Sequence, residues 1–260
     1  MRIHHLNCAT MRPPLAPMMV AHVLLLETER GLVLVDTGLG TGDLADPGRL
    51  GRGFRALVRP SCDVGETALA QVRALGFAAR EVTDIALTHL DLDHAGGLGD
   101  FPNARVHVHA HEIDAARRPA PSERARYVAA QWAHNPTWVT YAEGGDRWFG
   151  FDGVHAMAED IVLVPLPGHT RGHNGVAVRR SDGHWLLHAG DAFFAAGQLA
   201  STPTCPASLR AFQRVVAADN RRRVANLARL HELAQVHGEE VTVFCAHDRD
   251  QYETLAQPSR

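Results

Sequence analysis

Thiol chemistry is scarce in this chain. Its 260 residues hold four cysteines, Cys8, Cys62, Cys205 and Cys245, scattered and never spaced as Cys-x-x-Cys. A thiolate zinc site, a redox motif and a disulfide framework are therefore not expected. A basic surplus is also missing. Lys and Arg total 26 against 29 Asp and Glu, a net charge of -3, which argues against a nucleic-acid partner. Long apolar runs are lacking too. Residues 23–26 form the longest one near the start, far too short to span a membrane, and Pro13, Pro14 and Pro17 break the region where a secretion signal would need its apolar core. These absences predict a cytoplasmic protein without a membrane partner. No Gly-x-Ser-x-Gly elbow occurs, so a covalent acyl-enzyme is not indicated. No repeat of fixed period and no linker is visible, which predicts one domain over residues 1–260.

The 45% hydrophobic and 21% charged content is ordinary for a globular chain, but 17 histidines are not. Many belong on the surface; the rest need a reason. One stretch concentrates them with carboxylates: Thr88-His89-Leu90-Asp91-Leu92-Asp93-His94-Ala95-Gly96-Gly97. The apolar run 82–87 before it reads as a buried strand, and Ala95-Gly96-Gly97 reads as a tight turn. A loop leaving a strand end there can aim His89, Asp91, Asp93 and His94 at one place.

Other strands are expected at 2–7, 20–27, 31–36, 105–109, 161–166, 175–179, 185–188 and 241–245. Helices are expected at 66–75, 111–117, 122–132, 208–218, 221–236 and 251–255, with a long loop carrying one helical turn over 38–60. Segment 134–153, with Trp138, Tyr141, Trp148, Phe149 and Phe151, reads either as a satellite core or as a lid over a pocket. Strands grouped early and late, separated by helices, predict a layered α/β sandwich of two sheets with helices outside.

Three of the later strands end in turns that offer another ligand: His169 in Pro-Gly-His, Asp191 in Ala-Gly-Asp and His247 in Ala-His-Asp. Ligands at strand ends sit on a rigid base. The seven nitrogen and oxygen donors, His89, Asp91, Asp93, His94, His169, Asp191 and His247, exceed what one four- or five-coordinate ion takes. They suit two ions about 3.5–4 Å apart that share a bridging carboxylate, and they favour zinc, iron or manganese.

Order and spacing over residues 20–250 resemble the metallo-β-lactamase-fold superfamily of metal-dependent hydrolases. The family's His-x-His-x-Asp-His motif reads here as His89-Leu-Asp91-Leu-Asp93-His94. Gly168-His169-Thr170, Gly190-Asp191 and Ala246-His247 follow in the family's order, and the strand ending in Asp36-Thr37-Gly38 resembles its N-terminal hairpin. The resemblance implies a four-layer αββα sandwich of two mixed β-sheets flanked by helices. It assigns His89, Asp91 and His169 to one ion, Asp93, His94 and His247 to a second, and Asp191 to both. It places His173 and Asp36 behind the ligands, and makes Asp93 and Asp191 the catalytic carboxylates.

Asp91 departs from the pattern by standing where the family has histidine. A carboxylate, there glutamate, also replaces that histidine in flavodiiron proteins. The implied cofactors are two divalent ions, zinc first; the charge of Asp91 is expected to harden its subsite and shift preference towards iron or manganese. The implied reaction is hydrolysis of an ester, lactone or thioester of a small molecule by a metal-bridging hydroxide, in the manner of the lactonase and glyoxalase II-like branch. The alternatives are di-iron redox chemistry and a phosphodiesterase-type hydrolysis. Phe193 and Phe194 are expected either to wall an apolar pocket or to be core. His22, Trp132 and Tyr141 are candidate proton donors to a leaving group or oxyanion, and the helices over 208–236 offer a face for a homodimer.

Overall fold

The computed structural model describes residues 1–142 and 144–257. The last residues of the expected 1–260 domain lie outside the described ones. Two six-stranded mixed sheets face each other. The first runs in sequence order through β1 (Arg2–Met11), β2 (Met19–Thr28), β3 (Gly31–Val35), β4 (Val82–Ala86), β5 (Arg105–His109) and β6 (Thr137–Tyr141). The pairings β1–β2 and β2–β3 are antiparallel; β3 through β6 pair in parallel. The second holds β7 (Asp146–Trp148), β8 (Phe151–Ala158), β9 (Ile161–Pro165), β10 (Asn174–Arg179), β11 (Trp185–His188) and β12 (Val241–Phe244), antiparallel except for the parallel β11–β12 pair.

The alternation of side chains along each strand builds the layers. Val23, Leu25, Leu34 and Ile85 face outward, onto α3 (Ala68–Ala74) and α5 (Ala110–Arg117), among the eight described α-helices. Leu24, Leu26, Val33 and Val35 face inward and meet Val176, Val178, Leu186 and Phe244 of the second sheet. The far side of that sheet, with Val164, Ala177 and Leu187, packs on Leu230 and Leu233 of α7 (Asn220–Val236). This is the expected αββα sandwich. The remaining helices are α1 (Thr41–Ala45), α2 (Arg52–Val58), α4 (Leu92–Ala95), α6 (Ala207–Val216) and α8 (Arg249–Leu255). No helix is long and apolar enough to cross a membrane.

Two segments depart from expectation, and a third takes the core side of its two readings. The loop 38–60 holds α1, α2 and a 3-10 turn between them, because Leu50 and Val58 bury and Asp46 caps the turn through Gly48 N. Segment 122–132 is not a continuous helix. It runs through turns to a single 3-10 turn at Ala129–Trp132, since Arg126 is drawn inward onto backbone carbonyls of other elements. Segment 134–153 is not a lid. It supplies the edge strands β6 and β7, with Trp138 on the first sheet's core and Trp148 and Phe149 on the second's.

Candidate metal centre

Both sheets point their ligand-bearing ends at one place. The loop after β4 supplies His89, Asp91, Asp93 and His94; the turns after β9, β11 and β12 supply His169, Asp191 and His247. The seven fall into three overlapping groups whose ligand atoms lie within 4.8 Å of one another: His89, Asp91 and His169; His89, His94 and Asp191; Asp93, His94 and His247. Asp191 lies among four imidazoles. Oδ2 stands 3.9 Å from His89 Nε2, 3.3 Å from His169 Nε2 and 3.2 Å from His247 Nε2, while Oδ1 stands 3.4 Å from His94 Nε2 and 3.1 Å from His247 Nε2. Asp91 Oδ2 lies 2.9 Å from His169 Nε2 and 3.5 Å from His89 Nε2; Asp93 Oδ2 lies 3.7 Å from His247 Nε2.

Hydrogen bonds behind the rings decide which nitrogen faces the centre. Asp36 is the hub. Its Oδ1 accepts Thr88 N–H at 2.7 Å, and its Oδ2 accepts Thr88 Oγ1–H at 2.8 Å and His94 Nδ1–H at 2.8 Å. Thr88 Oγ1 in turn accepts His89 Nδ1–H at 2.9 Å. Val20 O accepts His247 Nδ1–H at 2.8 Å. In each ring Nδ1 is engaged behind, so Nε2 is the nitrogen turned toward the centre. His173 serves Asp191 instead: its Nε2 accepts the Asp191 N–H at 2.9 Å, and its Nδ1–H donates to Leu166 O at 3.1 Å. Two backbone features hold this together. Asp36 keeps φ at 60°, a left-handed conformation that costs a non-glycine residue energy. Gly190 has φ 52°, and a Cβ there would stand 2.6 Å from His173 Nε2.

The electrostatics match a cation site. Burial raises the Asp191 carboxyl, but His247, His94 and His169 outweigh it and hold it well below the usual range. Burial likewise raises Asp91, and Arg126 and His89 overcome it. Burial lowers His94, yet Asp191, Asp36 and Asp93 lift it well above an ordinary imidazole; His247 is raised against burial by Asp191 and Asp93. His89 Nε2, His94 Nε2, Asp91 Oδ1 and Asp191 Oδ1 are buried without a hydrogen-bond partner. Uncompensated polar atoms of this kind are costly unless a ligand satisfies them. The donor set and its orphan atoms therefore fit divalent ions, with imidazole and carboxylate donors suited to zinc, iron or manganese.

Several residues that build the site carry no local sequence mark. Buried Glu112 accepts Leu90 N–H at 2.9 Å, Thr170 Oγ1–H at 2.6 Å and Gly172 N–H at 3.0 Å, tying the loop after β4 to the turn after β9. Thr88 and Arg126 are the others. Of the candidate donors, His22 packs on His5 and Phe244, Tyr141 is bonded to His107, and Trp132 lies on the first sheet's core, so none reaches the centre. Phe193 and Phe194 separate: Phe193 belongs to the core beneath the second sheet, and Phe194 lines the cleft above the centre. That cleft has a volume of about 690 Å³, and its walls include Phe54, Leu57, Val58, Tyr127, Phe212 and Val215.

Comparison with known proteins agrees with this geometry. The description of the metallo-beta-lactamase superfamily matches residues 18–231. A probable metallo-hydrolase of Mycobacterium bovis is 44% identical over 257 residues, covering 97% of this chain and 82% of that protein. The N-acyl homoserine lactonase AttM of Rhizobium johnstonii is 28% identical over 178 residues, 63% of this chain and 61% of its own. The solved structure of an N-acyl homoserine lactone hydrolase, with N-hexanoyl-L-homoserine bound at its catalytic metal center, superposes with a TM-score of 0.75 at 20% identity, over 97% of this chain and 95% of that one. Fold, donor set and relatives converge: the chain belongs to the metallo-beta-lactamase superfamily and is a metal-dependent hydrolase.

Proposed function

We propose that this chain is a binuclear hydrolase that cleaves an ester, lactone or thioester bond of a small molecule bearing an apolar group. The observation that carries the reading is the place of Asp191, whose Oδ2 reaches His89, His169 and His247 and whose Oδ1 reaches His94 and His247. His89, Asp91 and His169 would hold one ion, Asp93, His94 and His247 the other, and Asp191 both. Zinc suits the set best, and iron or manganese are also compatible. Two divalent ions there would supply Lewis acidity and a water acidic enough to yield a hydrolytic nucleophile at neutral pH.

The chain's own residues do the rest. Asp36, Thr88 and the Val20 carbonyl engage Nδ1 of His94, His89 and His247 and keep their Nε2 atoms aimed inward. Phe54, Phe194 and Phe212 form apolar walls that exclude water beside the reacting bond and receive an acyl or ring group. Asp93 lines the same cleft and would return a proton to the departing oxygen or sulfur. Ligands from both sheets meeting at one centre support reading the chain as a single domain. The lactonases among its relatives make lactones the first substrates to try.

The test is a panel of lactones, esters and thioesters offered to zinc-loaded protein purified without chelator. Turnover of at least one class, abolished in Asp191→Asn, is expected. Two bound ions with no hydrolysis of any member would overturn the reading.

A further inference from the structure

Asp91 stands where the superfamily motif has histidine, and one arginine is placed against it. Arg126 Nε lies 3.5 Å from Asp91 Oδ1, both side chains only 13% exposed. The guanidinium is fixed by two carbonyls: Nη1–H donates to His169 O at 3.0 Å and Nη2–H donates to Val216 O. The two oxygens of Asp91 face opposite ways. Oδ2 turns to His169 Nε2 at 2.9 Å and His89 Nε2 at 3.5 Å, while Oδ1 meets only Arg126 among the described residues and accepts no hydrogen bond.

Replacing imidazole by carboxylate adds one negative charge beside Asp93 and Asp191. Arg126 adds one positive charge on the side away from the histidines. The pair sums to the charge of the neutral ring it replaces, and neither charge is left buried alone. We propose that Arg126 is a positioning residue for the subsite of His89, Asp91 and His169, restricting Asp91 to one metal-facing oxygen and offsetting its charge. The proposal rests on the reading of the centre as a two-metal site. Its consequence is that the carboxylate does not harden the subsite: zinc preference is kept.

A purely structural role would be to pin the end of α6 to the His169 turn. The two roles separate by metal affinity, read by chelator competition with zinc and with manganese on wild type, Arg126→Lys, Arg126→Met, Asp91→His and the double variant Asp91→His with Arg126→Met. Folding is followed in parallel by thermal unfolding. Arg126→Met should keep two ions and shift the weaker-binding subsite at least tenfold toward manganese over zinc. Arg126→Lys, which keeps the charge, should resemble wild type. Asp91→His should lose about one ion per chain although histidine is a good zinc ligand, because the buried guanidinium then faces a neutral ring and a cation; the double variant should regain the ion. An unchanged metal preference in Arg126→Met would overturn the proposal, as would Asp91→His holding two ions as tightly as wild type. The second comparison needs no Arg126 variant to fold. Wild-type protein without bound metal removes the two-metal reading itself; two ions with no dependence on Arg126 remove only this proposal.

Discussion

Two clusters of imidazoles stand near each other in this fold, and they differ in the carboxylates around them. In the first, His89 and His94 have ring centroids 4.0 Å apart, with His169 and His247 close by. In the second, His5 and His22 lie 5.0 Å apart, and Phe244 meets His22 at a tilt and His188 edge-on. Ring spacing does not distinguish them; the carboxylates do. Asp91, Asp93 and Asp191 face the first cluster, whereas no hydrogen bond or ion pair joins His5, His22 or His188 to a carboxylate among the described residues. The outcome is opposite for His94 and His247. Asp191, Asp36 and Asp93 lift His94 against the pull of burial, while burial and neighbouring histidines push His5 down to about 4 and His22 well below its ordinary value. Carboxylates within ion-pair reach, more than ring spacing, set the first cluster apart.

The largest expected effect comes from removing that field at its centre. Asp191→Asn should cut hydrolysis to below about a thousandth and lower the metal content, because one residue serves both histidine pairs. Activity and elemental analysis of the same sample check this. Retained turnover would dissolve the distinction between the clusters. Next comes Asp36→Asn, which weakens the hub behind His89 and His94. Zinc affinity should drop about 10- to 100-fold with the fold intact, as chelator competition would read.

Acid should act on the two clusters in different ways. At the centre, His94 and His247 have raised proton affinity, so protons compete with the metal. Zinc affinity should climb as pH rises from 6 to 8 and fall on acidification, with protons released on binding in calorimetry. In the second cluster the folded pKa of His5 lies near 4, below the 6.5 of the unfolded chain. The unfolded state therefore binds more protons in that window. The stability is present above pH 6.5 and lost as pH falls toward about 4. Melting temperatures of metal-free protein should decline over that interval, and a His5→Phe variant should decline less. The smallest effect is expected from His22→Phe on the metal centre: zinc content and turnover should match wild type, and a lost ion would mean the clusters are coupled.

The centre was more legible in the sequence than the walls around it. His89, Asp91, Asp93, His94, His169, Asp191 and His247 each follow an apolar strand, and strand ends are rigid, so local pattern sufficed to bring them together. Glu112 and Arg126 were invisible because their partners, Thr170 and Asp91, are distant in sequence and only tertiary packing supplies them. Arg126 also explains why residues 122–132 break from a helical pattern: its three anchors lie on other elements. The aromatic segment 134–153 left core and lid both open, and the core reading holds. Short edge strands carry few alternating positions, and Trp148 and Phe149 read alike whether they cover a pocket or a core.

Metal per chain decides most directly whether the place of Asp191 among His89, His94, His169 and His247 means two ions. Elemental analysis of wild-type protein, purified without chelator and supplied with zinc, should return two ions per chain. One ion, or none, would contradict the account.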